Sequence, residues 1–177
     1  MDLGKLGVWY FLDGLSTEDS IRAAQKIESL GYGALWLPET VGKDPLTTSS
    51  LLLSVTTKLN LATGIVNIYH REPGVMLAAQ KTLAEQSQNR FILGMGVSHK
   101  PLVEGVRGLE YGPPVKTMRD YLSKMEASPY TGIASSEKPT TLIAALGPKM
   151  LELAAEKTDG AHPYFTSPEH TEFARKI

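Results

Sequence analysis

Leu59–Pro73, LNLATGIVNIYHREP, decides the fold when it is read with Arg90–His99, RFILGMGVSH. Each stretch holds an apolar run rich in β-formers, too short to cross a membrane and bounded by polar residues, Gly or Pro. Such runs suit strands buried on both faces. Between them Gly74–Asn89, GVMLAAQKTLAEQSQN, places Val75, Leu77, Ala78, Ala79, Leu83 and Ala84 at helical spacing. Strand, helix, strand is a βαβ unit, with parallel strands and a right-handed crossover. The polar strand ends, Asn67–Arg71 and Ser98–Lys100, then share one carboxyl-end rim. Parallel α/β proteins bind ligands at that rim, so the active site is expected there.

Toward the N-terminus, Leu6–Leu12 reads as a strand closed by Asp13-Gly14. Ser16, with Asp19 three residues on, reads as a helix cap. Ile21, Ala24, Ile27 and Leu30 give that helix a buried stripe, and Gly31 stops it. Ala34–Pro38 is a second strand that delivers Glu39 and Thr40 to its carboxyl end. Asp44-Pro45 opens a helix running through LLLSVTT. Toward the C-terminus, Lys100–Pro114 reads as irregular and Val115–Ala127 as a helix with Met118, Tyr121, Leu122 and Met125 on one face. Ser128–Pro139 is a loop and Thr140–Leu146 a fifth strand. Gly147-Pro148 opens a helix, Gly160–Phe165 is a sixth strand, and Ser167-Pro168 opens the last helix.

The pattern is βα repeated six times with no break in composition, so one domain is expected over residues 1–177. Periodicity leaves two architectures open, a doubly wound sheet and a (β/α) barrel. No G-x-G-x-x-G opens the first helix, which weakens the dinucleotide-binding version of the former. A full barrel has eight units and typically about 250 residues. Six units leave a barrel open, so either the chain is part of a longer protein or its sheet edges are covered by another chain, in a homodimer or another pairing.

With 42% hydrophobic and 21% charged residues, the composition is that of an ordinary globular protein. A formal net charge of -1 offers nothing to attract nucleic acid or an anionic membrane. The sequence has no cysteine, which excludes disulfides and thiolate chemistry. No apolar run reaches the roughly 20 residues of a membrane span. The first residues lack the features of a secretion signal, so the expected compartment is the cytoplasm. The four histidines show no ligand spacing, and no metal is expected.

Four segments carry a family resemblance: ESLGYGALWLPE (Glu28–Glu39), KLNLATGIVNIYHREP (Lys58–Pro73), NRFILGMGVSH (Asn89–His99) and AALGPKMLELAAEKTDGAHPYFTSPEH (Ala144–His170). In this order and spacing the chain resembles the luciferase-like monooxygenase superfamily, and within it the coenzyme F420 (deazaflavin)-dependent oxidoreductases of actinobacterial type. The resemblance implies a (β/α)8 TIM-type barrel, of which this chain carries about six units. It also implies a deazaflavin held at the carboxyl rim, with FMN as the alternative cofactor, and a small-molecule substrate.

The same resemblance implies a non-prolyl cis peptide at Gly64-Ile65, forming a bulge behind the cofactor ring. Read without the family, Gly64 merely lets a helix approach the strand. Asn67 is expected to reach the polar ring edge, and Val97 and Ser98 to line the ring face. Ala145, Leu146, Gly147, Pro148 and Lys149 are expected around the cofactor's phosphate, because a helix N-terminus opened by Pro attracts anions. Plain helix capping uses the same residues. Glu39 and His99 are the candidate catalytic groups, His99 because an imidazole exchanges protons near neutral pH. Thr40 stands where sugar-phosphate relatives carry a histidine, which argues against that chemistry. Thr40 and Tyr164 are expected on the substrate side, while Arg71 is expected in a surface ion pair. Hydride transfer between coenzyme F420 and a small organic substrate is the leading reading, and an FMN-dependent monooxygenase is the second. A third, of another class, is a truncated chain that binds cofactor or assembles without catalysing.

Overall fold

The computed structural model describes residues 3–177. Its strands are β1 (Gly7–Trp9), β2 (Ala34–Leu37), β3 (Asn60–Thr63), β4 (Val66–Asn67), β5 (Phe91–Gly96), β6 (Thr140–Ala144) and β7 (Gly160–His162). The α-helices are α1 (Thr17–Ser29), α2 (Pro45–Ser54), α3 (Pro73–Gln86), α4 (Pro114–Ala127), α5 (Pro148–Lys157) and α6 (Pro168–Ala174). All strand pairs are parallel and follow chain order, β1-β2-β3-β5-β6-β7, with β4 also paired to β5. No strand order reverses anywhere along that path. A doubly wound sheet needs such a switch, so the architecture is a partial TIM-type barrel with six strand positions.

The third strand, read from sequence as one run, is two. β3 stops at Thr63, the Gly64-Ile65 peptide is cis, and β4 resumes at Val66. Both halves lie against β5, in register Leu61↔Phe91 and Asn67↔Gly96. The glycines of β5 make room for this break. A Cβ on Gly94 would lie 2.0 Å from the Thr63 carbonyl oxygen, and one on Gly96 would lie 2.7 Å from Ile65 Cδ1. The Thr63 hydroxyl donates to the Gly94 carbonyl at 2.8 Å and accepts from the Gly94 N–H at 2.9 Å.

Every residue of β3 and β5 is buried, as their unbroken apolar runs require, and Phe91, Leu61, Leu93 and Met95 form the centre of the core. The edge strands are shorter than their apolar runs suggested. β1 ends at Trp9 and β7 at His162, leaving Phe11 and Phe165 exposed. Pairing on one side only gives less reason to stay extended. The caps expected at Ser16, Asp44 and Ser167 accept from the N–H of Asp19, Thr47 and His170. Gly31 takes the left-handed conformation that ends α1. α2 ends at Ser54, three residues before its expected limit. α3 starts at Pro73, capped by Glu72. Within the expected loop, Pro101–Val106 winds into a π-helical turn.

One long-range contact fixes where the barrel's third strand begins. Glu28, near the end of α1, accepts with one oxygen from the N–H groups of Thr57, Lys58 and Leu59 at 2.9, 2.6 and 2.8 Å. Burial opposes the charge, but these three donors outweigh it and hold the carboxyl below its ordinary value of 4.5. A depressed carboxylate stabilises the fold above its unfolded-state pKa, and that contribution is lost as pH falls through the folded value. Glu28→Ala is therefore expected to cost about 1 to 2 kcal/mol near neutral pH, discounted for its partial exposure. Urea unfolding near neutral pH and again near pH 3 should show the difference between parent and variant shrinking in acid.

Candidate active site

The strand ends and the loops that follow them line a cavity of about 440 Å³, reached by Trp9 at the end of β1 and Phe11 beyond it, Glu39 and Thr40 after β2, and Gly64-Ile65 at the strand break. Val97, Ser98 and His99 follow β5, Ala145 and Leu146 follow β6, and Tyr164 follows β7. The volume lies in the range of small-molecule sites. Ten of the residues singled out from sequence thus meet in one place: Glu39, Thr40, Gly64, Ile65, Val97, Ser98, His99, Ala145, Leu146 and Tyr164.

Four others stand outside the lining. Asn67 is 1% exposed, and its side chain is spent locally. Its Oδ1 accepts from the Tyr69 N–H at 3.0 Å, and its Nδ2 meets His70 Nε2 at 3.1 Å. Gly147, Pro148 and Lys149 sit just beyond Leu146, at the start of α5. Gly147 caps that helix with no side-chain hydrogen bond, and the space where its Cβ would point is open.

The cavity floor is built around Gly64, whose role differs from close helix approach. A Cβ there would sit 3.1 Å from the Trp9 ring and 3.2 Å from His162 Nε2, so two side chains converge over it. Trp9 Nε1 donates to the Gly64 carbonyl at 2.8 Å. His162 stacks on Trp36 with ring centroids 4.8 Å apart. Burial pushes the His162 imidazole below its ordinary value, so it is neutral at neutral pH. Tyr164 closes the wall against Trp9 at 5.4 Å. Sequence reading missed Trp9, Phe11, Leu102 and Met150 as lining. The period of two that places Trp9 and Phe11 on one strand face was the available signal for the first pair.

Ser98, at the cavity edge, has φ of 56°, in the left-handed region that costs a non-glycine residue about 1 to 3 kcal/mol. Its carbonyl accepts from the Tyr111 hydroxyl at 3.3 Å. Tyr111 stacks on Tyr69, whose hydroxyl accepts from the Gly112 N–H at 2.9 Å. Arg107 reaches back to the Thr40 carbonyl at 3.0 Å. The segment after β5 is thereby tied to the ends of β2 and β4.

Glu39 is the most engaged group at the rim. Its Oε2 accepts from the Asn67 N–H at 2.6 Å and from Arg71 Nη1 at 3.0 Å, and its Oε1 accepts from Arg71 Nη2 at 2.6 Å. Arg71 also contacts Asp44. The Glu39 and Arg71 side chains are 8% and 12% exposed, so the ion pair expected at the surface is largely buried. The reason is the 3-10 turn Ile68–His70, which folds Arg71 back under the rim.

The family model described as luciferase-like monooxygenase matches residues 5–176. A Mycobacterium tuberculosis protein provisionally named a coenzyme F420-dependent oxidoreductase is 30% identical, over 95% of this chain and 56% of its own length. A 5,10-methylenetetrahydromethanopterin reductase of Archaeoglobus fulgidus is 28% identical, over 84% of this chain and 50% of its own. The solved coenzyme F420-dependent tetrahydromethanopterin reductase of Methanopyrus kandleri superposes with a TM-score of 0.78 at 21% identity, covering 96% of this chain and 58% of that one. The chain spans about half the length of the curated relatives it matches. With the family model covering nearly every residue, the chain belongs to the luciferase-like monooxygenase family.

Proposed function

We propose that this chain supplies the deazaflavin site of an oxidoreductase that moves a hydride between coenzyme F420 and a small organic substrate. The carrying observation is the convergence of Gly64-Ile65, Val97, Ser98, Ala145 and Leu146 on one apolar cavity at the carboxyl rim. The F420-dependent relatives support the choice of cofactor. The residues present fit a flat ring. Gly64 and Ile65 line the side of the strand break, and Trp9, Phe11, Leu102 and Met150 give apolar walls. The open start of α5 at Gly147, with no side-chain cap and with Lys149 in its first turn, suits an attached phosphate.

When bound, the deazaflavin supplies a ring carbon able to take or give a hydride. The chain's own residues bind, orient and handle the proton. His99 is exposed at the cavity edge, and its imidazole is the group we assign to exchanging the substrate proton. Thr40 and Tyr164 face the substrate side. Glu39, committed to Arg71 and the Asn67 N–H, acts as a holder rather than as a free base.

Fluorescence titration of the purified chain with coenzyme F420, and separately with FMN, tests this reading. Saturable deazaflavin binding is expected, weakened about tenfold (one repulsive contact of about 1.4 kcal/mol) in Gly147→Asp. Asp is a good helix cap, so that variant should unfold no more easily than the parent. Preference for FMN moves the protein to the flavin monooxygenase reading. Deazaflavin binding without hydride transfer to any carbonyl or alcohol supports the non-catalytic one, and binding of neither cofactor withdraws the assignment for this chain.

A further inference from the structure

We propose that Arg71 is a positioning residue for the cavity floor, acting through Glu39 to fix the segment Gly64–Asn67 on which the ligand rests. The inference rests on the deazaflavin reading of the cavity and says what holds that site in shape.

Arg71 itself does not line the cavity. Glu39 grips the broken strand at two points. Its main-chain N–H donates to the Ile65 carbonyl at 3.2 Å, and its carboxylate accepts from the Asn67 N–H at 2.6 Å. The carboxylate is aimed at Asn67 because the Arg71 guanidinium takes both of its oxygens, as a fork-to-fork pair does. Arg71 is fixed in turn from two further elements. Asp44, the cap of α2, meets the same guanidinium, and the Tyr121 hydroxyl of α4 donates to the Arg71 carbonyl at 2.8 Å. Loss of the guanidinium leaves a nearly buried carboxylate with the Asn67 N–H and, at 3.5 Å, His70 Nδ1 as its remaining neighbours. Without its fork partner the carboxylate is free to turn toward solvent and the cavity, and the Asn67 N–H then loses its charged acceptor.

Desolvation alone would loosen the guanidinium's hold on its proton, but Glu39 and Asp44 more than offset it and keep the pKa raised. Glu39 thus enters the cavity lining as one half of an ion pair rather than as a lone carboxylate.

The test compares Arg71→Lys and Glu39→Gln with Arg90→Lys. Arg90 is an equally tied arginine that donates to the Leu53 and Leu59 carbonyls away from the cavity. Lys keeps the charge but cannot bridge both oxygens, and Gln keeps the shape and an acceptor for Asn67. Amide hydrogen exchange at Asn67 in the ligand-free chain is expected to accelerate about tenfold or more in both cavity-side variants and to stay within twofold of the parent in Arg90→Lys. Coenzyme F420 affinity should fall about tenfold in the first two only, whatever the losses in Tm. Unchanged exchange at Asn67 overturns the proposal, as does faster exchange with unchanged affinity. A parent chain that binds no coenzyme F420 overturns the deazaflavin reading and this use of it together. Exchange at Asn67 then still separates that failure from a failure of Arg71 to hold the floor.

Discussion

Gly94→Ala is expected to destabilise the protein by at least about 3 kcal/mol, lowering Tm by roughly 10 °C. The added methyl would lie 2.0 Å from the Thr63 carbonyl oxygen, inside the contact between β3 and β5. Overpacking is tolerated where a flexible side chain can move aside. Here the obstacle is main chain, held by the paired hydrogen bonds between Thr63 and Gly94. Relief would require the two central strands to part, and they carry the most buried residues in the molecule. Gly14→Ala is the control, because nothing lies within 4 Å of its Cβ position and its stability should match the parent within about 0.5 kcal/mol. Thermal unfolding of the three proteins side by side checks the expectation. A Gly94→Ala protein that unfolds with the parent would mean that β3 and β5 are not in the contact described.

Glu39→Ala is expected to cost about 3 to 5 kcal/mol, toward the lower end because Arg71 keeps Asp44. The truncation strands two donors. The Arg71 guanidinium, 12% exposed, loses its bidentate partner, and the Asn67 N–H, in a residue 1% exposed, loses its only acceptor named above. Leaving buried donors unmet is what makes breaking such a pair expensive, even where forming it contributed little. The pair should therefore be strongly non-additive. Arg71→Met on the Glu39→Ala background should cost less than Arg71→Met alone, by about 1 kcal/mol or more in denaturant unfolding. A single Glu39→Ala loss below about 1 kcal/mol, or full additivity, would remove the buried pair from the account of the rim.

Most of the barrel was readable because its signals are local and redundant. Helix stripes, caps at Ser16 and Asp44 and the stop at Gly31 each specify an element from neighbouring residues alone. The choice between barrel and doubly wound sheet was not local, since it depends on which strands pair, and periodicity says nothing about pairing. Residue pattern alone does not show the break after Thr63 either; only the family resemblance anticipates it, as the cis peptide found at Gly64-Ile65. LATGIVN is as apolar as an unbroken strand, and what divides it is contact with Gly94 and Gly96, about 30 residues away. At the rim, residue type marked the cavity well, but type could not say where side chains turn. Asn67 looks the same in sequence whether it faces a ligand or, as here, its own turn. Arg71 resembled a surface charge because its burial depends on the turn before it and on Tyr121 from α4.

The sequence contains two tryptophans: Trp9 lines the cavity, and Trp36 stands one ring behind it, against the lining residue His162. Trp9 stands in its wall with its indole N–H on the Gly64 carbonyl, and Trp36 lies beneath the His162 ring. Both indoles therefore lie in the cavity wall or one ring contact behind it. A chromophore entering the cavity would sit at a distance where energy transfer from both indoles is nearly complete, with no background from elsewhere in the chain. Protonation of His162 would separately dim Trp36, since an imidazolium stacked on an indole accepts its excited electron. The fold has thus built an optical gauge into its binding site, one that reads occupancy and local charge without any added label.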